Sequence, residues 1–368
     1  MSTEASPMAP TAPSAWAGVW HACWADRRRA ALTLLLFAAL MPLVVWALQW
    51  GLWQAVWVPD AEACQAARGV GACWGVVVEK HRLILFGRYP YEAHWRPLVA
   101  SLLLLALLVY SANPQVWRRS LLAVWAVGLF GVFALLGGRV GPWSLQAMGL
   151  TPVAAELWGG LPLTLLLTVL SLWLAFPLAV GLALGRRSPW PVVRGVCVAW
   201  IELLRGVPLV SVLFMASFML PLLLPAGAAP DVLLRVMVAL VMFVAAYLAE
   251  VVRGGLQGVP QGQHDAARAL GMGPWQAHRD VLLPQALRHS LPSLVNHAIG
   301  LFKDTSLVTI VSLYELSGAM GLALGGDAQW RPFKLEAYLF IAAIYFIGCW
   351  ALSRYSDWLA AQLHAART

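Results

Sequence analysis

Apolar residues in this chain come in long unbroken runs, not in alternating or one-sided patterns. The first extends from Ala30 to Pro59 without a charge. A helix needs about 20 apolar residues to cross a bilayer, so this run predicts a span at 31–54. Further runs predict spans near 97–115, 120–138, 161–184, 197–224, 232–250, 291–313 and 335–354. The pattern is that of an all-α polytopic membrane protein with about eight transmembrane helices. The fifth span holds Glu202 and Arg205 near its start and reads as long, tilted and partly outside the hydrocarbon. The seventh contains Lys303 and Asp304, which weaken its hydropathy signal.

Composition agrees. The chain is 61% hydrophobic and 11% charged, against about 25% charged in soluble proteins, and its mean hydropathy is +0.72. Its 20 tryptophans suit membrane–water interfaces or core filling. Residues 1–30 read as a disordered cytoplasmic tail, Ser/Pro/Ala-rich as far as Ala15. Arg27, Arg28 and Arg29 precede a run too long for a signal-peptide core, which predicts an uncleaved anchor with the amino terminus in the cytoplasm. Eight spans return the carboxyl terminus to the same side. Fifteen of the 25 Lys and Arg then lie in the cytoplasm, nine lie outside and Lys303 lies in the membrane. The net charge of +8 thus follows from membrane orientation, not from nucleic-acid binding.

Three regions result: the tail, accessory helices over 31–155 with an external segment 59–96, and a core over 156–368 with a cytoplasmic loop 254–290. Cys64 and Cys73 lie nine positions apart in the external segment and are expected to form a disulfide, because that compartment is oxidising. Cys23, Cys197 and Cys349 are expected to be free thiols. No cysteine or histidine spacing fits a metal site, and no cofactor is implied.

The loop carries the clearest pattern. Gln263 to Leu270 favours a helix, Gly271-Met272-Gly273-Pro274 breaks it, and a second helix follows from Trp275 to Leu283, with Pro284 kinking or ending it. The result is a bent pair of short helices. The first is slim at Ala266, Ala267 and Ala269, a shape that can enter a groove on another protein; resting on lipid headgroups is the alternative, and Asp265 and Asp280 speak against it. Asp265-Ala266-Ala267, three residues, Gly271, nine residues, then Val281-x-Leu283-Pro284 resembles the "EAA" loop of ATP-binding-cassette importer permeases, with Asp for Glu and Val for Ile. Arg205-Gly206-Val207-Pro208-Leu209, Glu250-x-x-Arg253-Gly254-Gly255 and Phe302-Lys303-Asp304-Thr305-Ser306-Leu307 are similar to segments of the polar amino-acid uptake branch, the histidine/glutamine type. The three extra amino-terminal helices resemble the long subunit of general L-amino-acid permeases.

That resemblance implies a five-helix type I importer core and a loop that docks into an ATP-hydrolysing subunit. It implies two ATP-binding subunits, a second permease chain forming a heterodimer, a periplasmic substrate-binding protein and a bacterial inner-membrane location. The substrate would be an amino acid; another small polar solute is the alternative. Glu250 and Arg253, one turn apart, are expected to pair and fix the loop's exit angle, and Arg205 to pair with Glu202. Lys303, Asp304, Thr305 and Ser306 have two readings: a polar lining of the substrate path, or a buried hydrogen-bond set holding helices together, the latter preferred. His264, His278 and His289 read as solvated surface histidines. No Gly-x-x-x-x-Gly-Lys-Ser/Thr stretch exists, and none of the three lysines (Lys80, Lys303, Lys334) follows a glycine, so ATP would be used by a partner. Gly-x-Ser-x-Gly and HExxH are likewise missing from the sequence, which argues against an enzyme. An ion-driven secondary transporter would need several intramembrane acids, and only Asp304 is read as one.

Overall fold

The structure, a computed structural model, describes Trp20 and residues 23–118, 120–141, 143–225 and 227–365. The tail expected for residues 1–30 lies outside the described residues through Val19, and its last part is ordered, because the first helix starts at Arg27. The chain divides into two compact units, Met1–Gly75 and Val76–Thr368.

In the first unit, α1 (Arg27–Leu48) buries none of its residues. Leu35 and Phe37 are about two-thirds exposed. A helix that is apolar all round and uncovered by protein must be covered by lipid. Beyond it, the Asp60 carboxylate accepts the N–H groups of Glu62 and Ala63 at 2.9 and 3.3 Å and so caps α2 (Ala61–Ala66). Cys64 and Cys73, both fully buried, form the expected disulfide, their Cα atoms 5.3 Å apart. Trp74 donates its indole N–H to the Gly51 carbonyl at 2.7 Å and stacks on Trp57. Cys23, Cys197 and Cys349 are free. Replacing Cys64 and Cys73 together by alanine is expected to destabilise this unit by roughly 2–3 kcal/mol, the loop-closure entropy of so short a ring; trypsin sensitivity of the segment, compared with and without reductant, measures it.

In the second unit, α3 (Gly75–Phe86) leads into the hairpin of α4 (Trp95–Ser111) and α5 (Ser120–Gly137). Arg96 locks this hairpin. It is 1% exposed, and its guanidinium donates to the carbonyls of Leu135 at 2.6 Å and Thr151 at 2.8 Å. A cation on the last carbonyls of α5 also meets the negative end of that helix. Tyr89 donates its hydroxyl to the Leu136 carbonyl at 2.9 Å, and burial pushes its phenol up to about 12, keeping it a neutral donor. A short antiparallel ribbon follows, β1 (Arg139–Val140) on β2 (Trp143–Ser144).

Then come α6 (Gly160–Gly185), α7 (Pro191–Gly206), α8 (Leu209–Phe214), α9 (Val232–Gln257), α10 (Gln261–Ala269), α11 (Leu283–Asp304), α12 (Leu316–Gly325) and α13 (Lys334–Ala365). The core forms where α6 lies along α9, with α11 packed on α9 and α13 on α11. Leu167, Ala179, Leu240, Ala245, Ala249 and Val252 meet there. The alanines let the backbones approach closely. At Gly255 a Cβ would run into the Ser290 side chain and the Ala286 carbonyl, so glycine is what allows α11 against the end of α9.

Two expected spans differ. The fifth is broken: α7 and the helical segment Leu209–Leu223 meet at 105°. Pro208 bars helical geometry at Val207, which is extended, so α7 must stop there. The seventh, at 291–313, is not apolar enough to be recognised as a span. It is α11 followed by a 3-10 segment, Thr305–Val311. Among the described residues six helices are long and apolar enough to cross a membrane, seven if the bent pair counts as one span; the expected eight are not reached.

Candidate functional site

The expected loop forms as two limbs around Gly271. The first limb is α10, with Ala267 buried and Asp265 and Ala266 exposed. Its end is built by hydrogen bonds. The Gly271 N–H donates to the Arg268 carbonyl at 2.9 Å, and the Met272 N–H to the Ala267 carbonyl at 3.1 Å. This double bond pattern needs a left-handed residue after the helix, and Gly271 supplies it with φ 74°. The Gly in the pattern is therefore a conformational requirement.

The second limb starts at Pro274 and passes through a widened turn, Ala277–Leu282, straight into α11. Pro284 thus does not end the helix. The widened turn just before it absorbs the missing N–H and the ring's clash with the preceding turn. Leu282 is buried, and Val281 and Leu283 pack against the same core as α9. Gln285 donates to the Gln263 side chain at 3.1 Å and ties the limbs together. Leu270 and Trp275 are 81% and 68% exposed on either side of the bend. His264 and His278 are half-buried and face each other at 6.5 Å across a cleft of about 240 Å³ that Arg187 also lines. They are not the solvated histidines expected; His289 is exposed. Among the described residues no group of three or more His, Cys, Asp or Glu is placed to hold a metal ion.

Where the loop leaves α9, one carboxylate gathers three guanidinium groups. Glu250 pairs with Arg253 at 2.9 Å, with Arg205 at 3.7 Å and, closer, with Arg186. The Glu250–Arg253 pair is as expected. Arg205 reaches Glu250, and Glu202 pairs instead with Arg186 at 3.3 Å. Arg205 stands beside the 105° break, which turns it toward α9. The cluster binds the ends of α6, α7 and α9 together at the root of the loop. Glu250→Gln is expected to cost about 1–3 kcal/mol by stripping three cations of their shared anion. Thermal unfolding of the purified protein would show it, and Arg253→Gln alone should cost less.

The polar set expected at the end of α11 is only partly formed. Thr305 is buried and donates to the Phe302 carbonyl at 2.8 Å. Lys303 and Asp304 are exposed, and Ser306 is half-buried. The buried polar centre is elsewhere, on Glu315, which is 0% exposed. One of its oxygens accepts the N–H groups of Ser317 and Gly318 at 2.9 and 3.0 Å and the Thr309 hydroxyl at 3.1 Å. The other accepts the Tyr345 hydroxyl at 2.7 Å and the Thr164 hydroxyl at 3.3 Å. A single carboxylate thereby caps α12 and joins α6, the 3-10 segment and α13. Nothing in the apolar pattern or the motifs singles out Glu315. The signal that identifies it is an acid directly before a short apolar helix.

A family model described as "Binding-protein-dependent transport system inner membrane component" matches residues 175–364, which contain the broken helix, the loop and Glu315. The chain belongs to this family. It is an inner-membrane permease of an ATP-binding-cassette importer, in which ATP hydrolysis falls to a separate subunit. The permease is similar along most of its length to two known proteins. It is 42% identical over 330 residues to the inner membrane amino-acid ABC transporter permease protein YhdY of Escherichia coli strain K12, covering 87% of this chain and 85% of that one. It is 36% identical over 391 residues to the glutamate/glutamine/aspartate/asparagine transport system permease protein BztC of Rhodobacter capsulatus, covering 90% of each. The glutamate/aspartate import permease protein GltK of Escherichia coli O157:H7 is 35% identical over 203 residues, 54% of this chain and 89% of its own.

Proposed function

We propose that this permease imports amino acids and that residues 261–284 convert the movement of an ATPase subunit into a change of access across the membrane. The observation that carries this is the continuity of the second limb with α11. Leu270, Trp275, Asp265 and Ala266 form an exposed, bent surface, and any displacement of it passes through Val281, Leu283 and Pro284 into a helix packed on α9 and α13. A rigid element linking a surface contact to a helix bundle is how one bistable assembly switches another. Binding of ATP to the motor would favour one of two states, and the loop would carry that preference inward.

The amino-acid substrate rests on YhdY and BztC, whose names specify such substrates and which match this chain nearly end to end. Two ATP-binding subunits, a periplasmic binding protein and a second, different permease chain complete the assembly. Lys303 and Asp304 support the second permease: both side chains are exposed, and within the bilayer a charge is costly against lipid, so these two face the translocation path and the partner chain. The Cys64–Cys73 disulfide supports an external position for its segment and, one span before it, a cytoplasmic amino terminus; a cytoplasmic carboxyl terminus further requires α11 to cross the membrane.

Reconstitution tests this. Proteoliposomes holding this chain, its co-purifying permease and its ATPase, supplied with the binding protein, should take up labelled amino acids, glutamate and glutamine among them, only with internal ATP. Uptake of the same magnitude without the ATPase subunit, driven by an ion gradient, would rule the reading out.

A further inference from the structure

The end of the core opposite the loop contains a groove that coupling does not use. It lies between the last turns of α5 and the first turn of α9 and has a volume of about 700 Å³. Phe130 and Phe133 of α5 and Leu233 of α9 form its walls, and Phe130 is 57% exposed, so the groove opens on the lipid-facing surface. Trp158 lines it and is 7% exposed, yet its indole N–H has no acceptor among the described residues. A buried donor without a partner is costly and calls for an acceptor from the groove. Arg139 and Asp231 stand at the mouth. Arg139 follows the end of one membrane helix and Asp231 precedes the start of another, which sets both at headgroup depth. No described residue hydrogen-bonds or pairs with the Arg139 guanidinium. Asp231 uses one oxygen to accept the Leu234 N–H at 2.7 Å, leaving the other open.

We propose that this groove binds a glycerophospholipid with a primary-amine headgroup. Its phosphate pairs with Arg139, a group suited to planar, forked contact with phosphate. Its ammonium meets the open oxygen of Asp231, an ester carbonyl takes the Trp158 N–H, and an acyl chain lies along Phe130, Phe133 and Leu233. One cation and one anion at the mouth complement a zwitterion. An anionic headgroup would meet the Asp231 charge, and a trimethylammonium group has no N–H to donate.

Native mass spectrometry of the assembled transporter, titrated with dioleoyl phosphatidylethanolamine, phosphatidylglycerol or phosphatidylcholine, tests the proposal. One phosphatidylethanolamine should be retained, about tenfold more tightly than the other two, the size expected of one charge-assisted hydrogen bond. Arg139→Ala should weaken its binding about tenfold. Asp231→Asn, which keeps the helix cap, should abolish the preference over phosphatidylglycerol. Trp158→Phe, which keeps an aromatic ring in the groove, should weaken phosphatidylethanolamine about threefold. Wild-type binding in both Arg139→Ala and Asp231→Asn would overturn the proposal. So would displacement of the lipid by inorganic phosphate alone, or retention by the isolated chain but not by the assembled complex, which would assign the groove to a partner protein.

Discussion

Glu315→Ala is expected to destabilise the folded permease by about 3–5 kcal/mol. The change removes a fully buried carboxylate and with it the acceptor of five hydrogen bonds from α6, the 3-10 segment, the start of α12 and α13. Losing the cap of α12 accounts for about 1 kcal/mol. The larger part comes from donors left unpaired in a site that water does not reach. Glu315→Gln keeps the shape and one acceptor oxygen, but its amide group faces donors with a donor, so an intermediate loss of about 1–3 kcal/mol is expected. Thr164→Val, which removes one hydroxyl at nearly constant volume, should cost least. Thermal unfolding in detergent, followed by tryptophan fluorescence, ranks the three. An unchanged midpoint for Glu315→Ala would mean that this carboxylate does not hold the helices together.

The second large effect is functional. Gly271→Val should reduce ATP-dependent uptake at least tenfold, the effect of losing about 1.4 kcal/mol of coupling, while leaving the membrane helices folded. Gly271 has φ 74°, where a residue with a Cβ costs about 1–2 kcal/mol, and a β-branched one more. The strain falls on the two hydrogen bonds that end α10, so the bend opens and the exposed Leu270 and Trp275 on either side of it change their relative placement. Gly271 is exposed, and no tertiary packing is lost with it. Gly271→Asn should be much milder, since asparagine tolerates the left-handed region. The informative comparison is uptake against unfolding midpoint in the same preparation. Equal falls in both would make the defect one of folding, not of coupling.

The bent loop was legible in the sequence because its features are local. A glycine that must be left-handed, prolines that break or start helices, and a disulfide nine residues wide all act within one or two turns of chain. The long apolar helices were legible for the same reason: lipid exposure acts on each segment by itself, and α1, with no buried residue, is the extreme case. What escaped depends on contacts far apart in the chain. Glu315 meets Thr164 across 151 positions and Tyr345 across 30. Its neighbouring residues, Tyr314 and Leu316, say nothing of either partner. Arg96 looked like one external base among nine, and only the return of α5 shows that it is buried on carbonyls. Glu250's choice of Arg186 and Arg205 depends on how α6 and α7 end beside α9. The break in the fifth span is also a local feature, but hydropathy does not register it: Val207-Pro208 forbids a straight helix whatever the hydropathy of its flanks.

Cysteine cross-linking from the first limb of the loop tests the coupling function most directly. In a background lacking Cys23, Cys197 and Cys349, Ala266→Cys should cross-link to a cysteine in the helical face of the ATPase subunit in inside-out vesicles. It should be shielded by that subunit from a membrane-impermeant maleimide, and the cross-link yield should change when ATP binds. Labelling of Ala266→Cys by the same maleimide from outside intact cells, with no cross-link to the ATPase, would contradict the proposed role of the loop.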